Sequence, residues 1–281
     1  MDEHRMFFKM KVLLTICLLM SVGGAATAQQ STKLTRSQTK EAEQLLSELG
    51  YWTGPVDGIF DPGSRAALTA FQKYEGRSIT GRLTIEELEV IRNSAAPQPR
   101  DTGYPHVEVD LDRQVLLIVG NVAESAGNAA HSKDSPVRVL PVSTGNDREF
   151  MSDGQKSIAY TPRGRFVVYD KSFGWENGQL GSVYYANYIT GGVAIHGYLS
   201  VPKGPASHGC IRIPMFAARE VSKLLKLGTI VLVYDKVSFV SAKEWIDNPK
   251  LKEAAMLNSA AGDYVDEKTK TRRTGPRVIR S

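Results

Sequence analysis

The stretch AIHGYLSVPKGPASHGCIRIP, residues 194–214, contains two of the chain's five histidines and one of its two cysteines. Its first residues are typical of a strand, and SVPKGPAS has the proline and glycine that allow a loop to fold back. In extended backbone His208, Cys210 and Arg212 project to one face, since side chains alternate. A folded-back loop would bring His196 to Cys210, so the stretch predicts a site that combines a thiol with imidazoles.

Residues 1–28 have the pattern of an export signal. Positive charges precede an apolar run from Val12 to Met20, and Ala26-Thr27-Ala28 is a small-residue cleavage site. The run is shorter than the roughly 20 residues of a membrane span, so we expect no stable transmembrane segment after cleavage; an uncleaved anchor is the alternative. Cleavage would remove Cys17. Cys210 would then be the one cysteine left, as a reactive thiol, an intermolecular bridge or an inert buried group.

The charge of the chain is mildly positive. Removing three of its 35 basic and two of its 30 acidic residues with the signal leaves a net charge of +4. This excess suits an anionic cell-envelope surface but is too small to indicate nucleic-acid binding. The tail KTKTRRTGPRVIRS, residues 268–281, has no acid and six basic residues, which predicts a solvated, disordered end.

Three chemistries fit the cluster around Cys210. A thiol of ordinary pKa is only a few per cent ionised at neutral pH, so a nucleophilic cysteine needs a base such as His196 or His208, or a cation such as Arg212. The two histidines and Cys210 also form a plausible zinc-ligand set with water in fourth place. The third possibility is a structural polar cluster. The position of both histidines beside the one exported cysteine favours a chemical role.

The composition predicts several segments. Residues 33–94 are helix-like, residues 104–236 are dominated by short β-patterned runs, and residues 95–103 carry Pro97 and Pro99 of an extended linker. Residues 237–281 are expected to contain a short helix and the basic tail. The fold predicted is therefore multidomain: a small three-helix bundle followed by a mainly antiparallel β-sandwich or barrel.

The helical segment has three start signals. The first helix has leucines at helical spacing and ends at Gly50. The second has Asp61 as N-cap and Pro62 in its first turn, and Thr84 and Glu87 predict a capping box for the third. Its stretch LLSELGYWTGPVDGIFDPGSRAALTAFQKYEG resembles the three-helix peptidoglycan-binding domain, which implies binding to cell-wall glycan. A spacer without sugar affinity is the alternative.

The β-patterned segment begins with two runs around a turn at Asp112-Arg113. Further strands are predicted from VRVLPVSTG, GRFVVYD, GGVAIHGY and GTIVLVYD. A helix is predicted from Pro214 to Gly228, with an apolar stripe that packs on the sheets.

The quoted stretch resembles the signature of the L,D-transpeptidase family with the YkuD-type catalytic domain: a histidine-glycine pair, a variable loop, then Ser-His-Gly-Cys. PVSTG at 141–145 and TPRGRF at 161–166 support the match over residues 104–236. The resemblance implies an exported enzyme of the periplasm or cell wall. It would acylate a cysteine with a stem tetrapeptide, release D-alanine and pass the acyl group to an amine, without metal or cofactor. Its partners would be peptidoglycan stem peptides and glycan, with carbapenem-type β-lactams as covalent inhibitors.

The resemblance also implies residue roles. Cys210 is the nucleophile and His196 its general base, oriented by a backbone carbonyl or an unidentified partner, because Gly197 follows it. His208 is an auxiliary residue or a scaffold group. Around these, Ser207 is expected to stabilise the turn and Gly209 to allow close backbone approach, with the N–H groups around Gly209 and Cys210 as oxyanion donors. Arg212 is expected to hold a substrate carboxylate or to form a structural salt bridge.

Three other functions stay open. A carboxypeptidase would use water as acceptor, a wall-binding protein would have an inactive catalytic domain, and a zinc hydrolase would need metal. A papain-like peptidase fits less well, because there the cysteine precedes its histidine along the chain.

Overall fold

The computed structural model describes residues 34–120, 136–152, 154–178, 180–266, 268 and 271–274, so the predicted export signal lies outside the described residues. Six helices occur in this part of the chain: α1 Arg36–Glu48, α2 Pro62–Tyr74, α3 Ile85–Arg92, α4 Met215–Leu224, α5 Lys243–Asp247 and α6 Pro249–Ala261. The strands there are β1 His106–Asp110, β2 Val115–Val119, β3 Pro136–Pro141, β4 Glu149–Ser152, β5 Gln155–Ile158, β6 Gly164–Val167, β7 Asp170–Lys171, β8 Trp175–Gly178, β9 Gly181–Thr190, β10 Val193–Tyr198, β11 Ile211–Pro214, β12 Ile230–Tyr234, β13 Asp263–Asp266 and β14 Thr271–Thr274. None of the described helices has the length and apolar character of a membrane span.

Side-chain caps begin the first three helices. The Asp61 carboxylate accepts the Ser64 N–H at 2.8 Å at the start of α2, as predicted. At α3 the capping box is only half formed: Thr84 accepts the Glu87 N–H, but the Glu87 carboxylate pairs with Arg77 at 3.3 Å. The complete box is at α1, between Thr35 and Gln38, where the sequence analysis did not expect it.

Two main sheets form the larger part of the fold. The first has the order β3-β2-β1-β12-β6, and the second has the order β11-β10-β9-β7, with β8 also pairing with β9. Most neighbours are antiparallel, as predicted, but β1·β12 and β10·β11 are parallel. The sheets pack face to face: one buried cluster includes Val107 and Val231 from the first sheet, Ile195 and Ile211 from the second, and Val221 from α4.

The outer face of the first sheet is also covered. At the β2–β3 end, Leu117 and Val139 join Leu46, Leu68 and Phe71 of the helical segment in one buried cluster. At the β12–β6 end, a second cluster joins the sheet to the C-terminal segment around α5. Burial on both faces explains why β1, β2 and β12 are continuous apolar or buried runs.

The helical segment is joined to the sheet by backbone as well as side chains. The Val139 N–H donates to the Gly50 carbonyl at 2.9 Å, and the Trp52 N–H donates to the Val139 carbonyl at 3.1 Å. The predicted linker, residues 95–103, is also bound to the sheet, since the N–H groups of Arg100 and Asp101 donate to the buried Glu108 carboxylate on β1.

Several elements differ from the predictions. Helix α4 ends at Leu224 rather than Gly228, because Leu225 is extended and buried, and Gly228 with φ +78° turns the chain into β12. Between Val237 and residue 266, two helices occur instead of the single one predicted. Strand β9, the longest in the described residues, was not predicted. In the tail, β14 pairs with β13 instead of being disordered, and residues 275–281 lie outside the described part.

Candidate active site

The parallel pairing of β10 with β11 builds the site. The register sets Ile195 beside Ile211 and His196 beside Arg212, so Cys210, just before β11, reaches the start of β10. The connection between the two strands, residues 199–210, is the folded-back segment that the sequence predicts, and it is called the return loop below. The positive charge of Arg212 acts on both His196 and Cys210, which places the three side chains in one electrostatic environment.

His196 is held in one tautomer. Its ring is buried, and Nδ1 lies 2.9 Å from the Gly197 carbonyl oxygen. A carbonyl can only accept, so Nδ1 carries the proton and Nε2 of the neutral ring is a proton acceptor. Burial lowers the pKa of His196 to about 4, against the opposing effect of the Gly197 carbonyl, so the ring is neutral at physiological pH. The orienting group that the sequence could not name is therefore this carbonyl.

Gly197 has a packing role as well. A Cβ at this position would lie 2.5 Å from the Ala218 side chain on α4 and 3.2 Å from the Tyr184 ring. Glycine therefore lets α4 pack directly on β10 beside His196.

Cys210 is partly exposed, and its thiol donates to the Gly192 carbonyl at 3.5 Å. Burial raises the pKa of the thiol, while the Ala194 N–H and the charge of Arg212 lower it. Apolar neighbours Ala186 and Tyr188 account for the loss of water. The resting site therefore has a neutral thiol and a neutral imidazole rather than a thiolate–imidazolium pair.

A network of short hydrogen bonds fixes the turn before Cys210. The Ser207 hydroxyl donates to the Cys210 carbonyl at 2.5 Å and accepts the Gly209 N–H at 3.0 Å. Thr161 donates to the Gly209 carbonyl at 2.7 Å and accepts the Gly145 N–H at 2.8 Å. The Gly209 N–H is thus occupied by Ser207. The sequence does not predict these hydrogen bonds of Thr161, although Thr161 is the first residue of the TPRGRF motif.

His208 lies apart from this network. It is exposed, and its ring centroid is 4.5 Å from that of Phe150 on β4. The predicted alternation of His208, Cys210 and Arg212 requires extended backbone, but Gly209 has φ +141° and the regular strand begins only at Ile211. Among the described residues, no three His, Cys, Asp or Glu side chains are grouped so that they could hold a metal ion, so the zinc alternative has no ligand set there.

Arg212 has no carboxylate partner within the described residues. Its Nη1 donates to the Ala206 carbonyl at 3.2 Å, and the guanidinium lies 4.1 Å from the centre of the Tyr198 ring. Its backbone pairs with Ser143 through two hydrogen bonds of 3.0 and 3.1 Å. The salt bridge considered in the sequence analysis is absent from this part of the chain, and the charge is held by carbonyl and ring contacts.

Aromatic residues precede the site on β8 and β9. Tyr188 is buried and donates to Glu176 at 2.9 Å, whereas Trp175 is 56% exposed and lies 5.0 Å from the Tyr184 ring. The group is thus divided between core and surface.

An α+β fold with a tautomer-locked histidine on one strand and a cysteine directly before the adjacent parallel strand defines a class of candidate thiol enzymes. The L,D-transpeptidase catalytic domain model (YkuD) matches residues 105–233, and the peptidoglycan binding domain model (PG_binding_1) matches residues 35–91. Among solved structures, the chain is similar to an L,D-transpeptidase (residues 123–326) from Xylanimonas cellulosilytica DSM 15894, with 32% sequence identity and a TM-score of 0.63. The match covers 70% of this chain and 93% of that one. The chain belongs to the L,D-transpeptidase family, as predicted, and carries an N-terminal peptidoglycan-binding domain.

Curated relatives match shorter regions. The chain is 36% identical over 104 residues to a Nostoc punctiforme protein provisionally named OxPP cycle protein OpcA, which is 36% of this chain and 22% of that protein. It is 43% identical over 47 residues to the localization factor PodJL of Caulobacter vibrioides, 17% of this chain and 5% of that protein. The chain therefore spans about a fifth and a twentieth of the lengths of these two relatives.

Proposed function

We propose that this chain is an exported peptidoglycan L,D-transpeptidase that uses Cys210 as nucleophile and His196 as general base. The observation that carries the proposal is the buried His196 ring, whose Nδ1 lies 2.9 Å from the Gly197 carbonyl oxygen so that Nε2 is the acceptor, on the strand next to Cys210. Family membership supports the reaction class, and the geometry supports the assignment of roles.

Acylation would begin with proton transfer from the Cys210 thiol to Nε2 of His196. The sulfur attacks the carbonyl of the third residue of a donor stem tetrapeptide, forming a C–S bond. The tetrahedral intermediate collapses by breaking the C–N bond to the terminal D-alanine, whose amine takes the proton from His196. The products are a thioester on Cys210 and free D-alanine, so atoms and protons balance.

Deacylation would reverse these roles. His196 Nε2 takes a proton from the amine of an acceptor stem as that nitrogen attacks the thioester. The C–S bond breaks, and the sulfur recovers the proton from the imidazolium. The result is a cross-link between third residues or the attachment of another molecule to the wall, with the enzyme returned to its resting state.

The neutral resting pair has a consequence for the rate. The pKa shifts of His196 and Cys210 both favour the uncharged forms, so a thiolate–imidazolium ion pair is not formed before the substrate binds. The charge must be stabilised during attack, and Arg212 and the Ala194 N–H are the groups placed to favour the thiolate. Because Ser207 occupies the Gly209 N–H, the Cys210 N–H is the better candidate for the oxyanion. The Arg212 guanidinium, which has no carboxylate partner among the described residues, suits a substrate carboxylate.

The peptidoglycan-binding domain would hold the polymeric substrate near this site. A tethered second contact raises the effective concentration of stem peptides without adding contacts at the thiol. This role explains why a helical module precedes the catalytic sheets.

Intact mass measured after exposure to a carbapenem tests the nucleophile. We expect one covalent adduct on the protein, mapped to Cys210 by peptide mass spectrometry and abolished in Cys210→Ala, with chelator making no difference. His196→Ala should slow acylation by about 10²- to 10⁴-fold, the usual contribution of a general base, and His208→Ala far less. Equal losses in the two histidine variants would contradict the choice of base, and an absence of adduct would support the inactive wall-binding alternative.

A carboxypeptidase differs only in the acceptor, so products separate the two activities. Purified tetrapeptide muropeptides incubated with the protein should give cross-linked dimers and D-alanine. Tripeptide and D-alanine without cross-linked dimers would indicate that water is the acceptor.

A further inference from the structure

Lys73 is a buried cation that connects the helical segment to the catalytic sheets. It lies in the last turn of α2 and is 3% exposed. Its Nζ donates to the Val142 carbonyl at 2.7 Å and to the Pro202 carbonyl at 3.3 Å. One side chain of the peptidoglycan-binding domain thus contacts two separate segments of the catalytic domain.

The two carbonyls lie on the two backbone segments that hold the turn before Cys210, the return loop and the segment to which that loop is hydrogen-bonded. Pro202 is in the return loop, whose later residues are attached to the segment after Val142. There the Ser143 hydroxyl donates to the Gly204 carbonyl, and the Thr144 carbonyl accepts two N–H groups of the return loop, all at 2.9 Å. The hydrogen bonds of Lys73 therefore add to a series of hydrogen bonds that continues to the Ser207–Cys210 turn.

Within the described part of the chain, no carboxylate compensates the charge of Lys73. No salt bridge to Lys73 exists among the residues that the structure describes, and burial lowers the pKa of its ammonium to about 8. Burying an unpaired cation is unfavourable, and an apolar side chain of the same length would fill the space without that penalty. The ammonium therefore contributes something that packing does not, and its two acceptors indicate what it holds.

We propose that Lys73 is a positioning residue for Cys210, through which the peptidoglycan-binding domain holds the return loop in its reactive arrangement. This inference goes beyond the proposed function, in which the helical domain only binds the wall. The catalytic site is then incomplete without a side chain of the neighbouring domain. The chemistry stays with Cys210 and His196, and Lys73 acts on them through the backbone of the return loop.

The test compares Lys73→Met, which removes the donors, with Lys73→Arg, which keeps a charged donor, in the full chain at pH 7. Lys40→Met is the matched control, because Lys40 is an exposed lysine of α1. Three quantities are measured: deuterium uptake by the return loop, alkylation of Cys210 by iodoacetamide, and acylation of Cys210 by a carbapenem. Peptide-resolved mass spectrometry separates Cys210 from Cys17.

For Lys73→Met we expect faster deuterium uptake in the return loop. Alkylation of Cys210 should be at least tenfold faster, because the thiol becomes more accessible, and carbapenem acylation at least tenfold slower, because the thiol is misplaced. Lys73→Arg should restore both rates to within about threefold of the wild type, and Lys40→Met should match the wild type. If Lys73 only stabilised the fold, Lys73→Met would lower the melting temperature and leave both rates per folded molecule unchanged.

Wild-type uptake and rates in a folded Lys73→Met protein would overturn the inference. If that variant does not fold, Lys73→Ala, which also removes the donors and leaves space for water beside the two carbonyls, is judged by the same three measurements and the same criterion. If wild-type Cys210 is never acylated, the proposed function fails, while deuterium uptake and alkylation still decide the role of Lys73.

Discussion

Burial of a neutral His196 predicts a specific loss of stability in acid. In the unfolded chain this histidine takes up a proton below pH 6.5, whereas in the folded protein its pKa is about 4. Between these values the unfolded state binds more protons, so the free energy of unfolding falls as pH falls from 6.5 to 4. A difference of about 2.5 pKa units corresponds to roughly 3.4 kcal/mol in total, of which about 2 kcal/mol is lost by pH 5.

Urea unfolding of the wild type and His196→Gln at pH 7.5 and pH 5.0 isolates this contribution. Glutamine keeps an N–H donor that can serve the Gly197 carbonyl but does not titrate. The wild type should lose about 2 kcal/mol more than the variant between the two pH values, because other acid-sensitive groups are shared by both chains. His208→Gln, a change at an exposed histidine, should behave like the wild type. The same pH dependence in the wild type and His196→Gln would refute the assignment of a buried, neutral ring.

Three further predictions concern the turn and the domain contact. Gly209→Ala should cost about 1–3 kcal/mol of stability and suppress acylation, because φ at Gly209 is +141° and an added Cβ would lie 2.8 Å from the Tyr160 carbonyl oxygen. Thermal melting measures the stability, and intact mass measures the adduct. A stable, fully acylated variant would contradict this prediction. Thr161→Val should lower the free energy of unfolding by about 1–3 kcal/mol for each buried hydrogen-bond partner left unsatisfied. Thr161→Ser, which keeps the hydroxyl, should recover most of this loss in urea unfolding. Equal losses in the two variants would indicate that Thr161 acts through packing instead. Deleting residues 34–94 should give an aggregating catalytic domain by size-exclusion chromatography, because the outer face of β2 and β3 loses its apolar cover; a soluble monomer would show that this cover is dispensable.

Local patterns in the sequence determined many of the elements. Asp61-Pro62 predicts the start of α2, and alternating or continuous apolar runs predict β1, β2, β10 and β12, because caps and hydrophobic period act over a few residues. The stretch from His196 to Cys210 was sufficient to indicate the family. Strand β9 is not indicated by the sequence, because its first half is mostly half-buried and its second half is buried throughout, so its side chains follow no single period.

Tertiary structure decided the properties of the site. The sequence contains the thiol and the imidazole, but their protonation states depend on burial and on the Gly197 carbonyl, which acts through the backbone and leaves no residue-type signal. The same holds for Thr161 and Lys73, whose acceptors are carbonyls 48, 69 and 129 residues away along the chain. Residue types and short-range spacing specify which groups are present. Hydrogen bonds to distant backbone and the exclusion of water, which decide what those groups can do, exist only once the chain has folded.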